Sequence, residues 1–225
     1  MPFDETDAEA GLNTAVYAEL RKRLVTGFMP PGCELSTRGL ASEMGVSQTP
    51  VRDALSRLAA EGAVAIRSKR RVRVPRMTRE RFDDLLRCRL LLEPEAAEHA
   101  LEHLTKTQVM QLREIDAALN AATITGDAES YMFNNHAFHF TIYRAQPGET
   151  LTQLIETLWL QFGPFMRLAY GNASRASLND DHQAAIRAIE ARNAKALREA
   201  IAADITDGMG LIARTGFEVE SVALS

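Results

Sequence analysis

Several polar side chains fall where the helical period asks for apolar ones. Tyr131, Asn135, Phe138, His139 and Ile142 share a stripe at i, i+4, i+7, i+8 and i+11. His182 shares one with Ala185, Ile186 and Ile189, and Asp204 one with Leu197, Ala200 and Ile201. An amide, two imidazoles and a carboxylate thus point inward from three helices. Left without partners, they would together cost several kcal/mol. A metal ion would satisfy all four, and facing helices are where bundles build such sites. A water-filled cavity in which the same residues bond one another would satisfy them equally. Leu85, Arg89, Leu92 and Ala96 lie on another inward stripe. An arginine facing a core needs an anion, and its fork matches a carboxylate. Glu93, one turn along, can be that anion. Arg167 is a weaker candidate of the same kind. His136 reads as a surface or outer residue of the polar set, His99 and His103 as solvated, and Trp159, Phe162 and Phe165 as core.

A second constellation is basic. Residues 38–76 carry nine Lys/Arg against three acids, whereas residues 77–225 carry 14 against 21. Halves of opposite sign suit a polyanion on one and a separate task on the other. The basic half holds Ser47, Gln48, Thr49 and Arg52 at the start of a helix, Arg38 on the helix before, and Arg70 and Arg71 in a hydrophilic turn. Side chains at a helix N-terminus can enter the major groove of DNA, and the free N–H groups there favour phosphate.

The elements that must position these residues follow from periodicity and breakers. Val16, Leu20 and Leu24 predict a helix over 12–28, stopped by Gly27 and Pro30-Pro31-Gly32. A short helix over 37–44 ends at Gly45. Ser47 is a suitable N-cap for a third, from Gln48 to Glu61, with Pro50 in its first turn. Val64–Arg67 and Val72–Val74 predict two strands flanking the turn Ser68-Lys69-Arg70-Arg71. From Arg79 onward only helices are expected, over 79–102, 106–123, 127–145, 150–170, 178–191 and 194–213. The fold class is mainly α: a winged helix-turn-helix over 1–76, then an all-α helical bundle over 77–225.

Composition agrees. The 225 residues are 46% hydrophobic and 25% charged, an ordinary globular balance that excludes a disordered tail or a disulfide scaffold. Cys33 and Cys88 lie far apart without metal spacing, so reduced thiols in a cytoplasmic protein are expected. The acidic N-terminus has no apolar signal segment, and no apolar run spans a bilayer, so no membrane association is expected.

The run Pro31-Gly32-Cys33-Glu34-Leu35, then Leu40 through Leu55 with Gly45-Val46-Ser47-Gln48-Thr49-Pro50-Val51-Arg52, then Leu58 and Glu61-Gly62, resembles the GntR family of bacterial transcription regulators. That resemblance implies a homodimer on an inverted repeat in operator DNA, contacted by Arg38, Ser47, Gln48, Thr49, Arg52 and the wing-tip residues Arg70 and Arg71. Gln48 stands where the family usually has Arg, and Arg71 where it usually has Gly.

The bundle resembles the effector domain of the FadR branch, the FCD domain, through Arg89-Leu90-Leu91-Leu92-Glu93, Asn135-x-x-Phe138-His139 and His182. Many members hold a divalent ion with one Asp and three His. Here Asn135 takes the Asp position and Asp204 that of the third His, while His139 and His182 match. Oxygen donors beside two imidazoles suit Zn²⁺, Mn²⁺ or Ni²⁺. The resemblance further implies a small carboxylate effector held by the ion and Arg89, and no organic cofactor. The function expected is a ligand-responsive transcription regulator, a repressor of a metabolic operon. The alternative is a metal-dependent helical-bundle enzyme, but no Ser–His or Cys–His pair, HExxH motif or Gly-rich phosphate loop is visible.

Overall fold

The computed structural model describes residues 5–68, 71–172 and 181–216. Helix α1 (Glu5–Val25) starts earlier and stops sooner than the predicted 12–28. Its apolar stripe Val16, Leu20 and Leu24 is buried. Gly27, at φ 68°, turns the chain out of the helix, with Phe28 N donating to Arg23 O. A positive φ there is what a glycine tolerates and most side chains do not.

Helix α2 (Thr37–Met44) is capped by the Ser36 hydroxyl, which accepts from Gly39 N, and closed by Gly45 at φ 67°. Helix α3 (Gln48–Ala60) buries Pro50, Val51, Ala54, Leu55 and Leu58. Ser47 holds its N-cap backbone position, but its hydroxyl makes no capping bond. Three strands follow from two segments. The first, β1 (Glu34–Leu35), lies ahead of α2, and the wing supplies β2 (Ala65–Ser68) and β3 (Arg71–Arg73). All pair antiparallel in the order β1-β3-β2, with Glu34 opposite Arg73 and Ile66 opposite Val72. The sequence reading did not include β1, because two residues are too few to show alternation. Lys69 and Arg70 lie outside the described residues.

The bundle comprises α4 (Arg79–Ala100), α5 (Lys106–Thr125), α6 (Ala128–Tyr143), α7 (Thr150–Asn172), α8 (Asp181–Glu190) and α9 (Ala194–Gly216). The predicted helix over 178–191 is described from Asp181, which leaves His182 in its first turn. Helix α9 packs against α4, α7 and α8, and α6 against α4, α5 and α7. Trp159, Phe162 and Phe165 are core, as expected. Local signals set the joints: Thr105 and Gln108 form a capping box, and the Asp127 carboxylate accepts from Glu129 N and Ser130 N.

The two halves share one buried apolar cluster. Helix α1 lies directly on α7, because Gly163 leaves no side chain between them. A Cβ at that position would meet Leu24 O and Val25 O at 2.7 Å. Polar bonds frame the contact. Arg21 Nη2 donates to Glu156 Oε2 at 3.0 Å, Gln161 Nε2 to Glu61 O at 3.2 Å, and Arg81 Nη2 to Gly62 O at 3.0 Å. Among the described residues, no helix is long and apolar enough to cross a membrane.

Candidate DNA-reading face and buried polar centre

Pro50 and Val51 are buried in the first turns of α3, while Ser47, Gln48, Thr49 and Arg52 are exposed around them. The helix anchors itself by one face and offers the other. Since Ser47 does not cap it, the first-turn N–H groups of α3 remain available to an outside acceptor. Arg38 is exposed on α2, and Arg71 at the start of β3. The wing is tied to the unit it flanks. Gly32 N donates to Val74 O at 2.9 Å and Val74 N to Cys33 O at 3.1 Å.

In the bundle, α6, α8 and α9 bring His139, His182 and Asp204 together. One ligand atom from each lies within 4.8 Å of the others. His139 Nε2 is 3.1 Å from Asp204 Oδ2, and His182 Nε2 is 3.5 Å from Asp204 Oδ1. Asn135 is buried one turn before His139 on α6. Burial works to raise the Asp204 carboxyl, but the His139 and His182 imidazoles outweigh it and hold the group well below the usual carboxylate range.

The orientation of His139 is set from behind. Tyr143, one turn further along α6, was not singled out from the sequence, although its i+4 spacing on the polar stripe is the signal for it. Its hydroxyl donates to Glu93 Oε2 at 2.9 Å and lies 3.1 Å from His139 Nδ1. With the phenol proton committed to Glu93, the phenol oxygen accepts from Nδ1. In the neutral imidazole this leaves a lone pair on Nε2. Among the described residues that buried nitrogen has no hydrogen-bond partner, because its approach to Asp204 lacks hydrogen-bond geometry. A lone pair facing a carboxylate is repulsive unless a proton or a metal cation lies between them, and two imidazoles beside a carboxylate are donors that a divalent ion accepts. The donor set therefore fits a divalent ion, with Tyr143 and Glu93 orienting one ligand.

Arg89 and Glu93 are both buried on α4, at 3% and 0% exposure, and they pair. Arg89 Nε donates to Glu93 Oε1 at 2.6 Å and Nη2 to Oε2 at 3.3 Å. Trp159 Nε1 adds a bond to Oε2 at 3.2 Å, and the guanidinium sits 3.8 Å from the Phe162 ring centroid. Arg89 is thus beside the polar centre, with Glu93 as its anion. The structure does not bring Arg167 to this cluster. Its Nη1 donates to Thr26 O at 3.3 Å, at the contact with α1. His136 is half-buried, stacked on Phe140 at 4.2 Å and edge-on to Trp159. Burial, reinforced by Arg144, lowers its pKa to about 3. His99 is exposed and paired with Glu95, and His103 is exposed.

Comparison with known proteins agrees with this division. The family described as bacterial regulatory proteins, gntR family, matches residues 12–74, and the FCD domain matches residues 84–207. The chain is 30% identical over 205 residues to the HTH-type transcriptional regulator McbR of Escherichia coli, covering 90% of this chain and 93% of that protein. A solved structure of E. coli McbR/YncC superposes with a TM-score of 0.85 at 29% identity, covering 90% of this chain and 97% of that one. The gluconate operon transcriptional repressor of Bacillus subtilis is 28% identical over 176 residues, 78% of this chain and 70% of that protein. These matched domains and relatives are those of transcription regulators, not enzymes. The N-terminal half is therefore a DNA-binding domain, and the chain belongs to the GntR family of bacterial transcription regulators, with an FCD domain as its C-terminal half.

Proposed function

We propose that this regulator acts in the cytoplasm as a homodimeric repressor of a metabolic operon, binding an inverted repeat through its winged domains. The unit comprises residues 1–76 and the effector-responsive bundle residues 77–225. The observation that carries the reading is the exposed, uncapped start of α3. Ser47, Gln48 and Thr49 face base edges, Arg38, Arg52 and Arg70 meet phosphates, and Arg71 adds a wing contact. Gln48 pairs bidentately with adenine.

The bundle holds a divalent ion, Zn²⁺, Mn²⁺ or Ni²⁺, on His139, His182 and Asp204, with Asn135 as a fourth donor. When bound, the ion supplies a positive centre for a carboxylate ligand. Arg89 receives the effector's other end through Nη1, the nitrogen that Glu93 does not engage. A DNA response follows only from a difference in effector affinity between two arrangements of the dimer. Helix α7 touches both halves and is placed to report that difference.

The test is operator affinity at several salt concentrations. Arg52→Ala should weaken binding and flatten the dependence of log K on log salt by roughly one unit. Unchanged affinity and slope would remove Arg52 from the interface. Arg89→Ala should lower effector affinity while sparing metal content and effector-free DNA binding.

A further inference from the structure

A cleft of about 300 Å³ opens between α1 and the bundle, and its lining includes none of His139, His182 and Asp204. Its walls come from both domains. Helix α1 supplies Arg21 and Lys22, α6 supplies Phe133 and His136, and Arg144 and Glu156 close it. Three cations face one acid, and that acid is shared: Arg21 Nη2 reaches Glu156 Oε2 at 3.0 Å, and Arg144 Nη2 reaches Oε1 at 2.7 Å. Lys22 has no carboxylate partner among the described residues, and its side chain is exposed at the rim. Ala18, Val25 and Phe133 make the apolar part of the lining. Phe133 is 53% exposed there, although a helix surface has no need of an uncovered aromatic ring, and the imidazole of His136 stands one turn away on the same face.

We propose that this cleft is a second ligand site, distinct from the polar centre, for a small aromatic carboxylate. The ring lies against Phe133 and His136, and the carboxylate meets Lys22 and Arg144. The excess of two positive charges after Glu156 is counted suits an anion, and the aromatic wall selects one with a flat apolar body. The site is complete only when α1 and α6 keep the placement seen here. A bound molecule would therefore favour this arrangement of the reading head on the bundle and, by linkage, change operator affinity.

The experiment is calorimetric titration of the full-length protein with benzoate, with inorganic phosphate as the control. Benzoate should bind saturably, and phosphate at least tenfold more weakly. Lys22→Glu and Phe133→Ala alter exposed side chains and should each weaken benzoate by about tenfold, with the far-ultraviolet spectrum unchanged. His139→Ala should leave benzoate binding intact, which separates this site from the metal-assisted one proposed above. The inference is overturned if benzoate fails to bind, if phosphate binds equally well, or if binding is lost with His139→Ala but kept with Lys22→Glu. It is also overturned if Phe133→Ala converts the protein to a smaller species by sedimentation without affecting benzoate, since the ring would then serve contact between copies.

Discussion

Glu93 shows how much one buried carboxylate can organise. It receives Arg89, Tyr143 and Trp159 while fully buried, and through Tyr143 it fixes which nitrogen His139 presents to Asp204. Removing it would leave the Arg89 charge buried without an anion, so Glu93→Ala should destabilise the fold by about 3–5 kcal/mol. Denaturant unfolding would read the loss. His136 makes a different residue-scale prediction. Its folded pKa of about 3 lies below the value of about 6.5 for an unfolded histidine. Below pH 6.5 the unfolded chain therefore takes up a proton that the folded chain refuses. The stability this group contributes is complete above pH 6.5 and drains away down to pH 3, by about 1.4 kcal/mol per unit at most. His136→Phe, which keeps the stack on Phe140, should flatten the dependence of unfolding free energy on pH between 6.5 and 5. An equally steep slope in the variant would assign the effect elsewhere.

At the scale of elements, periodicity and breakers located every helix of the described residues, because each carries a buried apolar stripe and ends at a cap, a glycine or a polar loop. Strand β1 escaped because the pairing of Glu34 with Arg73 spans 39 residues, and two residues carry no pattern of their own. The polar stripes on α6, α8 and α9 correctly placed His139, His182 and Asp204 facing inward. Their sequence separation could not reveal that Tyr143 orients one of them, or that Arg89 pairs with Glu93 through Nε and Nη2. Nor could the sequence assign Gly163 a purpose. Its meaning lies in a contact made by backbone oxygens of another helix. Because those atoms cannot move aside as a side chain would, Gly163→Ala should lower stability by about 1–3 kcal/mol and shift α1 on α7. Thermal unfolding would measure the first effect. Protease sensitivity of the 75–80 segment would report the second.

For the whole molecule, the proposed ion makes a prediction independent of DNA. A ligand that binds only the folded state raises its stability by RT ln(1 + [L]/Kd). Zn²⁺, Mn²⁺ or Ni²⁺ should therefore raise the melting temperature of chelator-treated protein, and His139→Ala or Asp204→Asn should abolish the rise. Elemental analysis of the purified protein should find the ion in the native chain and not in those variants. An absent shift with all three ions would leave the polar centre as a hydrated cavity around Arg89.

The glycine contact also bears on recombination. Reading heads and sensing bundles of a regulator family invite exchange by gene fusion, as though the linker were the only joint. Here α1 belongs in sequence to the reading head but rests its carbonyls on α7 of the bundle, at a distance that admits no methyl group. A graft cut near residue 76 would carry half of that contact and leave the other half behind. Chimeras should respond to ligand only when the incoming bundle also brings a glycine where α7 meets α1. Compatibility between donors would then be decided by one hydrogen atom in place of a side chain, not by linker length.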